Sequence, residues 1–290
     1  MNKISGLGQL PVLLRLLAFL VILALCWLPL GFPILHWVRD PNWQSILGLG
    51  LLYGQFLFLV RWWGRAVHHM PQVLNHYGFT FSSGNLRSLG IGMGVSSLCL
   101  LGLYGFQGAL GWLQWHLPDW AFVRVFWEGL AVALGIGFAE ELLFRGWLWD
   151  EFQRDYGDRR TLIITTHLYA ILHFIKPLPE IIRTLPQFPG LILLGLIFAW
   201  AKQIGRGQLG LAIGLHAGFV WAYYWIVVGN LTSLPPSPPG NEDLNQAIPT
   251  WVTGIDDNPL AGLLGIILLS GLAWGIRQTL LRSTRPESVL

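Results

Sequence analysis

Eight apolar runs set the fold of this chain before any single residue is considered. They lie near 11–31, 45–62, 88–114, 121–149, 160–176, 188–204, 207–229 and 259–278. A helix of about 20 residues crosses the hydrocarbon core of a bilayer. Inside lipid only helices and closed barrels satisfy every backbone polar group. The charge content agrees, because only 11% of residues are Asp, Glu, Lys or Arg, against about 25% in a soluble domain. The expectation is an all-α, polytopic membrane bundle of about eight helices, forming one integral membrane domain over residues 1–290.

The basic residues orient that bundle. With a cytoplasmic N-terminus, twelve Lys and Arg fall on cytoplasmic segments and four, Arg39, Arg124, Lys176 and Arg183, on the other side. This obeys the positive-inside rule and places both termini in the cytoplasm. The first run continues to a full span and lacks a small-residue cleavage site, so it reads as a helix and not as a removed signal peptide. The net charge of +3 therefore reports orientation. No basic stripe with interleaved aromatics suggests nucleic acid. The partners expected are the lipid bilayer and a membrane-associated protein or peptide.

The connecting segments carry fewer signals. Residues 230–258 are rich in Pro, which forbids regular helix, and they read as an extended extracytoplasmic loop. Asn230-Leu231-Thr232 fits a glycosylation sequon. His68, His69 and His76 lie in segment 63–87, which reads as a solvated cytoplasmic loop with a short interfacial helix and not as a metal site. Cys26 and Cys99 fall in different apolar runs and read as small core residues rather than a disulfide pair.

Chemistry enters where charge interrupts the lipid pattern. Glu140 and Glu141 are the acids that fall well inside a predicted span. A charge at a helix centre costs roughly 2.5–3.5 kcal/mol on insertion scales, and neighbouring carboxylates raise each other's pKa. Arg145 is four residues from Glu141, so the two share a helix face and can pair. Glu140 is rotated about 100° away and is left to face a cavity. Ala131, Gly135 and Ala139 form a small-residue stripe that invites a neighbouring helix.

Two further runs supply imidazoles. In one, Tyr169 and His173 are a helical turn apart, while His167 reads as a satisfied packing residue. In the other, Gly210, Gly214 and Gly218 form a second close-packing stripe, His216 projects from the opposite side, and Tyr223 returns to the His216 face two turns later. A Glu–His pair in a dry cavity suits general acid–base work. It also suits hydrolysis by an activated water, with or without a metal. A proton relay in a transporter uses the same groups, but paired broken helices are absent from the pattern.

Glu140-Glu141-x-x-x-Arg145, then Tyr169-x-x-x-His173, then His216-Ala resembles the three-motif signature of the CPBP family, the CAAX proteases and bacteriocin-processing enzymes. The resemblance covers about 121–225. It implies an intramembrane endopeptidase of about eight helices that hydrolyses a membrane-associated protein or peptide. By that resemblance Glu140 and His173 activate the water, Glu141 and Arg145 support the carboxylate, and His216 stabilises the oxyanion or binds a metal. Family members are described both as metalloproteases and as glutamate-dependent enzymes. The implied cofactor is therefore one divalent metal such as zinc, held by Glu140, His173 and His216, or none. Glu/His/His is a legitimate zinc ligand set, although the three are scattered along the chain. One position departs: the third motif usually continues His-x-x-x-Asn or Asp, and position 220 here is Val. Tyr223 is the nearest substitute. The departure keeps a catalytically impaired membrane scaffold of the same fold as the alternative.

Overall fold

The computed structural model describes residues 5–235, 249–255 and 258–283. Nearly all of it is helical. Helices α1 (Val12–Trp37), α2 (Pro41–Ala66), α3 (Val73–His76) and α4 (Ser83–Ala109) are followed by the short strand β1 (Gln114–Trp115) and by α5 (Phe122–Glu141). A π-helical segment, Leu142–Leu148, continues directly into α6 (Trp149–Leu172). Then come α7 (Leu178–Thr184), α8 (Phe188–Ile204), α9 (Gly210–Val227), strand β2 (Thr232–Ser233), α10 (Thr250–Thr253) and α11 (Leu263–Ser283).

Among the described residues, seven helical stretches are long and apolar enough to cross a membrane. Leu, Ile and Trp side chains are widely exposed along them, the pattern of a protein whose solvent is lipid. The count differs from eight because runs 121–149 and 160–176 emerge as one 51-residue helical stretch, Phe122–Leu172. At 1.5 Å per residue such a stretch is roughly 77 Å long, far more than one crossing needs. It is broken at Gly157, where φ is 69° and ψ 175°, a conformation open essentially to glycine alone. The break recovers two segments at the place where the two runs were divided.

Contacts divide the chain into two compact units. The first comprises Met1–Phe79 and Gly146–Thr161, the second Thr80–Arg145 and Leu162–Leu290. In the first, α1 packs on α2, and Phe19 is fully buried among aromatic rings, 4.0 Å from Trp147 and 5.5 Å from Trp63 between ring centres. An ionic cluster closes this unit. Glu151 is fully buried. Its Oε2 accepts from Arg15 Nε at 2.6 Å, and its Oε1 accepts from Trp63 Nε1 at 2.8 Å and meets His68 Nε2 at 2.7 Å. Arg15 also binds Asp155 at 3.0 Å, and Asp155 accepts from the Val12 amide at 2.7 Å, holding the first turn of α1. His76 pairs with Asp150 at 2.7 Å.

These contacts correct two readings of the segment after α2. His68 and His76 are not merely solvated, because their carboxylate partners come from α6, 74–83 residues away in the chain. Tyr77 is buried as well, and burial, with Asp150 and Glu151 adding to it, pushes its phenol well above the usual range. Glu151 joins the buried acids even though it lies just past the predicted span. Cys26 is exposed, not a core residue, and both cysteines are free.

In the second unit α9 is the central helix. Gly210, Gly214 and Gly218 present no side chains to α4, whose residues Asn85, Leu89, Met93 and Ser96 occupy the space a Cβ would need. The contact is sealed by the Gly210 amide donating to Asn85 Oδ1 at 2.7 Å and Ser97 Oγ donating to the Gly218 carbonyl at 3.0 Å. Against α5 the stripe differs from the one expected. Ala131 and Gly135 are exposed. The buried line is Gly129, Ala133 and Gly137, with Gly129 against the Tyr224 ring and Gly137 against Ile213 and Ala217 of α9. Glu141 continues that line at the same four-residue spacing. The loop expected at 230–258 is partly ordered: β2 pairs antiparallel with β1 and α10 is helical. The Pro-rich stretch 236–248 lies outside the described residues.

Candidate active site

Two neighbouring acids at the end of α5 point into different surroundings. Glu141 is fully buried. Its Oε1 accepts from Arg145 Nη1 at 3.1 Å and from His216 Nδ1 of α9 at 2.9 Å. Arg145 is 1% exposed and donates from Nη2 to the Gly195 carbonyl of α8 at 3.0 Å. Its guanidinium lies 4.5 Å above the Tyr169 ring, a favourable seat for a desolvated cation. A buried charge needs such partners, since losing one strands the other.

Glu140 does not join that pair. Its side chain is 30% exposed, and its Oε2 stands 3.8 Å from His173 Nε2 and 3.8 Å from His216 Nε2. Both separations exceed a hydrogen bond, and Oε2 is a buried atom with no hydrogen-bond partner among the described residues. Glu141 Oε2 is in the same condition.

The hydrogen bonds on the far side of each imidazole decide what faces the gap. His173, just past the end of α6, directs Nδ1 to the Tyr169 carbonyl at 2.7 Å. A carbonyl only accepts, so Nδ1 carries the proton. His216 Nδ1 likewise donates to the Glu141 carboxylate. In the neutral rings both Nε2 atoms are then acceptors. Three acceptors from three helices converge, and whatever occupies the gap between them must donate hydrogen or carry positive charge.

The remaining residues frame this centre. Tyr169 is buried, with its ring 4.5 Å from that of His173. Tyr223 is half-buried two turns beyond His216, and Val220 is half-buried one turn beyond it. His167 is exposed and directs Nδ1 to its own helix, at the Ile163 carbonyl, 2.8 Å away. Among the described residues no group of three His, Cys, Asp or Glu has metal-ligand spacing.

The sequence reading missed two features. One is the π-helical segment, a rare form often found at functional sites, which begins directly after Glu141. The other is α8. Gly195, Phe198 and Lys202 lie at i, i+3 and i+7, on one face. Gly195 accepts from Arg145, the Phe198 ring stacks on His216 at 4.8 Å and 8°, and Lys202 donates to the Arg145 carbonyl. An apolar helix gives no signal for such roles, and Lys202 registered only as a cytoplasmic charge.

No curated protein and no solved structure matches the chain. A family model does: residues 122–222 match Type II CAAX prenyl endopeptidase Rce1-like. That stretch contains the whole cluster from Glu140 to His216, and over it the chain is similar to the CAAX-type prenyl endopeptidases.

Proposed function

We propose that the cluster hydrolyses a peptide bond in a membrane-anchored protein or peptide, with water activated by Glu140 and His173. The observation that carries this reading is the gap itself. Two imidazole nitrogens each stand 3.8 Å from one carboxylate oxygen of Glu140, too far for direct bonding and suited to a small bridging molecule. A water there donates one O–H to Glu140 and the other to His173 Nε2, leaving its oxygen lone pair for attack. Glu140 takes the proton as the C–O bond forms. It returns that proton to the leaving nitrogen as the C–N bond breaks, so the general base becomes the general acid.

The oxyanion needs a donor, and His216 supplies one once Nε2 is protonated. The Glu141 carboxylate bonded at Nδ1 then balances the imidazolium, as the third member of a Ser-His-Asp triad does. Arg145 keeps Glu141 in place. Glu140, His173 and His216 also offer chemically suitable zinc donors, which would polarise the carbonyl or the water. Their spacing among the described residues does not match a ligand set. With a cytoplasmic N-terminus, Glu140 and Glu141 fall late in a helix that enters from outside, and the cavity opens toward the cytoplasmic leaflet.

The test is cleavage of quenched fluorescent peptides, with and without a prenylated cysteine, by detergent-solubilised protein. Glu140→Gln lowers turnover by about 10²–10⁴-fold, the usual range for removing a general base. Full activity in that variant removes Glu140 from the mechanism. Incubation with EDTA or 1,10-phenanthroline leaves turnover within about twofold; a loss restored by added zinc assigns the site to a metal instead. Val220 supports a second reading, a scaffold with impaired catalysis, because it stands where the family's motif usually has a polar side chain. Unchanged cellular function in Glu140→Gln, combined with loss on deleting the protein, selects that reading.

A further inference from the structure

The gap works only if His216 is held in one orientation. An imidazole has a broad terminal torsion, and a single hydrogen bond at Nδ1 leaves the ring free to rock about that bond. A rocking ring swings Nε2 out of line with Glu140. His216 sits on α9, and its Nδ1 partner, Glu141, closes α5. The Tyr169 ring meets His216 only at its edge, at 6.3 Å and 85°, and neither helix contact fixes the plane of the ring.

Phe198 does. It is 1% exposed, and its ring lies 4.8 Å from that of His216 with only 8° between planes. It is itself confined. Arg145 lies 5.3 Å from its ring centre, and the Tyr169 ring meets it edge-on at 6.2 Å and 87°. The same face of α8 anchors Arg145 through the Gly195 carbonyl and the π-helical segment through Lys202. One helix thus holds the guanidinium that fixes Glu141 and the ring plate that fixes His216.

We infer that Phe198 is a positioning residue: its stacked ring sets the plane of the His216 imidazole, so that Nδ1 meets Glu141 while Nε2 faces Glu140. The inference rests on the hydrolytic reading for its consequence in turnover. Its geometric content stands apart from that reading and is testable without substrate.

The experiment uses the full-length protein in detergent micelles with ring-15N-labelled histidine, and His216→Gln assigns the His216 resonances. In the wild type the Nδ1 proton gives a sharp, low-field, exchange-protected signal from its bond to Glu141. Phe198→Leu removes the plate and keeps an apolar side chain, so this signal broadens or exchanges at least tenfold faster. Phe198→Tyr and Phe198→Trp retain it. Phe198→Met serves if the Leu variant fails to give a monodisperse peak. On the fluorescent peptides, Phe198→Leu lowers kcat about tenfold with KM unchanged, and the aromatic variants restore it. An unaltered His216 signal in both Phe198→Leu and Phe198→Met overturns the inference. If wild-type protein cleaves none of the peptides while the signal responds as described, the positioning role stands and the peptidase reading falls.

Discussion

Among the described residues two glutamates are completely buried, and they teach different lessons. Glu151, in the first unit, is bonded by Arg15, Trp63 and His68, with both carboxylate oxygens engaged. Glu141, in the second, has the same kinds of neighbour, an Arg and a His, yet its Oε2 and the Oε2 of adjacent Glu140 have no hydrogen-bond partner among the described residues. Residue types alone do not separate the two clusters. Completeness does. A satisfied buried network holds helices together, whereas an incomplete one keeps atoms available for a bound molecule.

The sharpest way to break this comparison is to exchange stability for activity at each cluster. Glu140→Gln is expected to lose about 10²–10⁴-fold in turnover and to leave the detergent melting temperature unchanged; a large drop in melting temperature would put Glu140 in the structural class. Glu151→Ala is expected to do the opposite. It removes one of the two carboxylates that pair with buried Arg15 and destabilises the protein by about 3 kcal/mol, read as a marked fall in melting temperature. A variant that melts like wild type would show that this cluster supports no fold. Arg145→Ala tests the border between the classes, since it removes the guanidinium that neutralises buried Glu141 and leaves His216 as its remaining bonded partner. A destabilisation of about 3 kcal/mol together with lost turnover is expected, and loss of turnover alone would mean that Arg145 only orients the site. The smallest effect is at Val220. Val220→Asn adds a polar side chain one turn from His216 and is expected to raise turnover by up to about tenfold, part of what one oxyanion donor is worth. A large decrease would show that Val220 packs for another purpose.

Much of this was legible along the chain because lipid imposes strict local rules. Apolar runs of fixed length define the spans, and the pair Glu141–Arg145 follows from four-residue spacing on one helix. The stripe Gly210–Gly214–Gly218 was likewise visible, since close approach needs small residues at that interval. The equivalent stripe on α5 was misassigned to Ala131 and Gly135. Both candidate lines are rich in small residues, and only the packing against α9 selects Gly129, Ala133 and Gly137. The histidines after α2 were misread for a related reason, because Glu151 and Asp150 reach them from a remote part of the chain.

The sequence by itself therefore determined that this is a multi-pass helical membrane protein, where its spans run and which charged residues its lipid-facing pattern could not absorb. Tertiary structure alone decided which small-residue line packs, that Gly157 breaks one long helical stretch in two, that α8 holds both Arg145 and His216, and that three acceptors meet around one gap. The division has a physical cause. Transfer into lipid and helix periodicity act on neighbours in the chain, whereas hydrogen-bond satisfaction and ring stacking act between helices whose pairing no local pattern encodes.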